Sequence, residues 1–158
     1  MLELEKDPET KLKELGLSLP QTSKPVASYI PTIIVSNLLL TSGTLPIQDG
    51  KVAYTGKMGE SKNTVEVGYE ASKLATLNSL SAVKAALGSL SKIKRLVKVT
   101  GFVNSAPGFT DQPKVINGAS DLLVSIFGES GKHVRSAIGV AELPLNALIE
   151  IEFVYELK

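Results

Sequence analysis

Arg135 sits in the run Val134–Val140, where the alternate positions Arg135, Ala137, Gly139 and then Ala141 carry one guanidinium among very small side chains. A planar guanidinium fork grips a carboxylate through two parallel hydrogen bonds, and small neighbours leave room for a ligand beside it. The plainer alternative is a solvated or ion-paired strand arginine. Glu150 and Glu152 alternate with Ile149, Ile151 and Phe153 in the final strand. If this strand neighbours Val134–Val140 with polar faces aligned, Glu150 lies diagonal to Arg135 at about 7 Å, room for a small ligand or a water. A carboxylate there orients or activates that water, unless it is simply the exposed side of a half-buried strand. His133 shares the Arg135 side and offers a general base, although a histidine just after a Gly-Lys turn is expected to be exposed and idle.

Other chemistry is narrowed by what is missing. The chain has no cysteine and one histidine, so thiolate chemistry, disulfides and the usual zinc ligand sets are excluded. No metal is expected. Gly128-Glu129-Ser130-Gly131-Lys132 has the wrong spacing for a phosphate loop and follows a helix, not a strand. The basic run Lys92, Lys94, Arg95 and Lys98 reads as a solvated start of a strand. A net charge of +1, no tryptophan and only 5% aromatics give no field or stacking surface for nucleic acid. Met1 to Thr10 is too charged for a secretory signal, and the apolar stretch Ile30–Leu40 is interrupted by Pro31, Ser36 and Asn37. No membrane partner is expected, and the cytoplasm is the default compartment.

The elements that must position these residues follow from periodicity and punctuation in 158 residues, a length suited to one domain. Asp7-Pro8-Glu9 starts a short helix with Leu12 and Leu15 on its apolar edge, closed by Gly16. Leu19–Pro25 reads as an extended linker, so 1–26 is an N-terminal helix and linker and 27–158 the main body. Thr32–Val35 and Leu38–Thr44 around Ser36-Asn37 form a hairpin, and Asp49-Gly50 turns into a third strand, Lys51–Tyr54. Thr64 caps a helix ending at Gly88, with Val67, Ala71, Leu74, Leu77 and Leu80 at helical spacing. Arg95–Asn104 alternates as a strand. Asp111-Gln112-Pro113 starts a helix whose stripe is Val115, Ile116, Ala119, Leu122, Leu123 and Ile126, stopped by Gly128. Val134–Val140 and Leu148–Tyr155 are strands flanking a turn at Leu143-Pro144-Leu145-Asn146. This order predicts an α+β fold with both long helices on one face of a mixed sheet. Six half-exposed strands then leave a face for another copy of the chain to cover.

Thr41-Ser42-Gly43-Thr44-Leu45-Pro46, Val99–Asn104, Asn117, Arg135-Ser136 with Val140-Ala141-Glu142-Leu143-Pro144, and Ile149-Glu150-Ile151-Glu152 together resemble the RidA (YjgF) family. Its members are the reactive intermediate deaminases, also called endoribonuclease L-PSP. The likeness runs from about Ala27 to the C-terminus. It implies a chorismate-mutase-like fold and a homotrimer with ligand sites in the clefts between subunits. It also implies hydrolysis of enamines and imines such as 2-aminoacrylate to 2-oxo acids and ammonia, without a cofactor. By position, Arg135 matches the arginine that holds the substrate carboxylate, and Glu150 the glutamate that positions water. Tyr29, Gly43 and Asn117 match pocket residues. Ala137 stands where many members have cysteine, acting through its backbone, and Gly139 where many have glutamate. These departures and the added N-terminal helix imply a distinct subfamily. A non-catalytic sensor of small 2-oxo acids is the competing reading, and endoribonuclease activity a third.

Overall fold

The computed structural model describes residues 6–21 and 28–158. The first five residues and most of the predicted linker, 22–27, lie outside the described residues. Helix α1 (Pro8–Glu14) begins where Asp7 accepts a hydrogen bond from the Thr10 amide, and Gly16 follows its end with φ 69°. Leu12 is buried in the core, whereas Leu15 is largely exposed. Glu9 anchors the helix by accepting from the Leu90 amide at 3.0 Å and pairing with Lys84 at 3.1 Å. The Leu90 amide and the Lys84 ammonium both hold the Glu9 carboxyl below its ordinary pKa.

Strands β1 (Thr32–Val35) and β2 (Leu38–Thr41) form the expected hairpin, with Ser36 at φ 57° in its two-residue turn. The predicted third strand does not join the main sheet. Ile47–Gln48 (β3) and Lys51–Val52 (β4) close into a separate two-stranded ribbon around Asp49-Gly50. The main sheet therefore has five strands, not six. Helix α2 (Val65–Leu87) is capped by the Thr64 side chain and ended by Gly88 in the left-handed region. Strand β5 (Ile93–Asn104), helix α3 (Gln112–Phe127), strand β6 (Val134–Val140) and strand β7 (Ile149–Leu157) complete the chain.

The sheet order is β1-β2-β7-β5-β6, with β5 and β6 parallel and every other pair antiparallel. A parallel pair needs a crossover, and α3 supplies it. Both long helices lie on one face. Every residue of the predicted α3 stripe is buried there, with Ala71, Ala75, Leu80 and Val83 of α2. The sheet contributes Leu39, Leu96, Val99, Val103 and the odd positions Ile149 to Tyr155. Gly118 lets α3 approach α2, since a Cβ there would stand 2.1 Å from the Tyr69 carbonyl oxygen. The other face is open, and Ile33, Leu40, Val134 and Ile138 are exposed on it.

Candidate active site

Strand β6 is an edge strand. Its odd residues face α3, which brings Arg135 under that helix. Arg135 Nη1 donates to Asn117 Oδ1 at 2.9 Å and to Ser120 Oγ at 3.1 Å. Asn117 and Ser120 are three apart on α3 and so share one side of it. The two bonds use both Nη1 hydrogens. Among the described residues, Nη2 and Nε have no acceptor, and they form a free guanidinium edge of the kind that can take a carboxylate through two parallel bonds. Arg135 is half-buried. Ala137 follows on the same side of β6, half-buried against the core. Gly139 comes next, with Gln112 Nε2 and Ser105 Oγ occupying the space a side chain would take.

His133 is not idle. It is half-buried, its Nδ1 lies 2.6 Å from the Gly131 carbonyl oxygen, and its Nε2 lies 3.0 Å from Ser120 Oγ. Gly131 permits this placement, because a Cβ there would meet the Leu123 carbonyl oxygen at 2.4 Å. Burial pushes the His133 pKa below its ordinary value and the Arg135 charge adds to that, against the Gly131 carbonyl. Ser120 is the residue that sequence reasoning missed. Its available signal was the i, i+3 spacing from Asn117 beside an apolar stripe.

Glu150 lies elsewhere. The expected diagonal with Arg135 does not exist, because β5 separates β7 from β6. Phe102 pairs with both Glu150 and Ile138, a row on the open face, whereas Val99 pairs with Arg135 and Phe153 on the helix side. Arg135 and Glu150 therefore sit on opposite faces of one sheet. The Glu150 carboxylate lies over Gly43, where a Cβ would stand 2.1 Å from Oε1. Burial first, then the Glu152 charge, raise the Glu150 pKa above the ordinary glutamate value. Tyr29 is exposed ahead of β1, and the next residue is tied to this corner by a Ser42 hydroxyl that donates to the Ile30 carbonyl at 2.6 Å.

One copy thus carries two separated groups. Arg135, Asn117 and Ala137 belong to the β6–α3 edge. Tyr29, Gly43 and Glu150 belong to the β1–β2–β7 corner. From β1 to β6 is four strand spacings, about 19 Å. The basic run behaves as expected, with Lys92, Lys94, Arg95 and Lys98 exposed and Lys94 paired to Glu156 at 2.8 Å. Among the described residues, no three His, Cys, Asp or Glu side chains converge as metal ligands. No helix among them is long and apolar enough to cross a membrane.

The fold and these positions define a class. Residues 9–157 match the YjgF/chorismate mutase-like family, described also as candidate endoribonucleases, and the chain belongs to this family, the RidA family. It is 44% identical to the protein TCP17 of Trypanosoma cruzi over 148 residues, 93% of this chain and 92% of that one. It is 32% identical to a 2-iminobutanoate/2-iminopropanoate deaminase of Dermatophagoides farinae, across 86% of this chain and 91% of the relative. A solved structure from Shewanella oneidensis, described as a candidate endoribonuclease, superposes with a TM-score of 0.92 at 40% identity, across 96% of this chain and all of that one, 100%.

Proposed function

We propose that this chain hydrolyses small enamine and imine acids of the 2-aminoacrylate type to 2-oxo acids and ammonia. The observation that carries this reading is the Arg135 fork, with Nη1 spent on Asn117 and Ser120 and the Nη2/Nε edge left for a carboxylate. The relative named as an imine deaminase supports the same reaction. The substrate carboxylate would lie on Arg135, next to Ala137 and Asn117. A Glu150 carboxylate would accept a hydrogen bond from water and aim its oxygen at the imine carbon. An enamine first tautomerises to its imine; water then adds across the carbon–nitrogen double bond, both its protons pass to nitrogen, and ammonia leaves as the carbonyl forms. An imine is already electrophilic, so positioning and charge complementarity supply most of the acceleration.

Because one copy holds Arg135 and Glu150 on opposite sheet faces, the complete site would form between copies. Tyr29, Gly43 and Glu150 of one subunit would then meet Arg135 and Asn117 of the next. A trimer with open sheet faces turned inward also covers Val134 and Ile138, which are 66% and 45% exposed in the single chain.

The test is a coupled assay in which a pyridoxal-phosphate dehydratase makes the imine from serine or threonine and release of 2-oxo acid is followed. Acceleration by the wild-type chain, lost in Arg135→Ala at unchanged particle size, is the expected result. No acceleration alongside Arg135-dependent binding of 2-oxo acids would replace the enzyme by a sensor.

A further inference from the structure

We propose that Ser120 and His133 are positioning residues that hold Arg135 ready for a carboxylate, and that His133 takes up a proton as the carboxylate binds. This rests on the function just proposed and adds two residues and a proton to it. The donors run in one direction. A carbonyl only accepts, so His133 Nδ1 carries the hydrogen toward Gly131 and, in the neutral ring, Nε2 is an acceptor. The Ser120 hydroxyl therefore donates to Nε2, and its oxygen turns a lone pair to Arg135 Nη1. Without that acceptor the hydroxyl would turn to the Ile116 carbonyl one helical turn back, as mid-helix serines do. The histidine thus sets the serine, and the serine with Asn117 sets the plane of the guanidinium.

Protonation keeps both contacts of Ser120 Oγ and reverses the donor in one of them. Nε2–H then donates to Ser120 Oγ, whose two lone pairs accept from both His133 and Arg135, while the serine hydrogen moves to Ile116. The charged groups around His133 are Arg135 in the strand that follows it, Lys132 before it, Arg95 from β5 and Glu156 from β7. Lys132 is paired with Glu129 and Glu156 with Lys94, and on α3 Asp121 accepts from the Tyr69 hydroxyl. Arg135 is the neighbouring charge on which the proposed substrate carboxylate would sit, and it already acts on His133. An anion on its fork makes the second cation beside it easier to form, and by reciprocity a protonated His133 tightens the anion.

The probe is 2-oxobutanoate, whose carboxylate stays ionised throughout, titrated calorimetrically between about pH 5.5 and pH 8, the histidine range. Wild-type affinity is expected to fall about fivefold as pH rises across that range, the lower end of ordinary coupling between sites. His133→Gln should bind with no such slope, and Ser120→Ala should bind several-fold more weakly at every pH. Because His133 is the one histidine of the chain, its ring resonances also report the proton directly in the unmutated protein. Its pKa should rise on saturation with 2-oxobutanoate, by the same factor of about five in acid constant. An unchanged ring pKa, or one slope shared by wild type and His133→Gln, overturns the proposal while leaving the Arg135 site standing. A wild-type chain that binds no 2-oxobutanoate and turns over no imine overturns both.

Discussion

Replacing Arg135 by lysine keeps the charge and removes the fork, which separates the two things this residue supplies. In the folded chain one guanidinium nitrogen is fully committed to Asn117 and Ser120 at 2.9 and 3.1 Å, so in the proposed complex the other two nitrogens would hold the carboxylate. An ammonium has a single nitrogen on a shorter stem, so it either satisfies the α3 acceptors or reaches the substrate. The variant loses one of two charge-assisted hydrogen bonds. At a half-buried site that is about 2 kcal/mol, toward the low end of the range for such bonds. This converts to about a 30-fold drop in kcat/KM. The carboxylate is held alike in ground and transition states, so the drop should appear mainly in KM, with kcat within a few-fold. The coupled dehydratase assay at varied imine flux reads both constants, and thermal unfolding checks that the fold is intact. An Arg135→Lys variant within about threefold of wild type, or one that loses kcat at constant KM, would refute the argument that the fork rather than the charge binds substrate.

Glu150→Gln should lower kcat about 100-fold or more while leaving 2-oxobutanoate affinity near wild type, because a base, not an anchor, is removed. The Glu150 pKa is raised, so wild-type kcat should fall as pH drops through a value above that of an ordinary glutamate. Glu152→Gln, which deletes the second cause of that rise, should move this acidic limb to lower pH in the same assay. Ile138→Asp puts a charge on the open face and should yield folded, inactive single chains by light scattering; an active, assembled variant would place the interface elsewhere. Gly118→Ala drives a Cβ into the Tyr69 carbonyl and should cost about 1–3 kcal/mol, seen as a Tm several degrees lower, despite the better helix propensity of alanine.

Local signals were read well because their causes are local. The Ser36-Asn37 turn, the Thr64 and Gly88 helix ends and both bounds of β6 follow from backbone preferences and caps. The α3 stripe is fully legible because its period and its burial agree. Strand neighbours are not local. Nothing in the composition of Leu148–Tyr155 says that it pairs with β5 rather than β6, so the expected contact of Glu150 with Arg135 failed on sheet order. The facing of β6 misleads for another reason. Its more apolar side, Val134 and Ile138, points away from the core of its own chain, while Arg135, Ala137 and Gly139 face α3. Periodicity reports which residues avoid water, and it does not distinguish a helix from a second copy as the cover. Ser120 was missed, and His133 was expected to be exposed, because the contact between them forms only when α3 folds back over β6.

If the site forms between three copies, as proposed, its division between two corners of the chain has a genetic consequence. Two loss-of-function alleles, one lacking Arg135 and the other lacking Glu150, would each give an inactive assembly. Expressed together, they would form mixed rings in which an intact Arg135 sometimes faces an intact Glu150. With equal expression and random mixing in threes, about a quarter of the clefts would be whole, and the remainder would lack one or both groups. A heterozygote for the two alleles would therefore keep partial activity that neither homozygote has. Two lesions placed together in one allele would show no such rescue of a single-lesion partner.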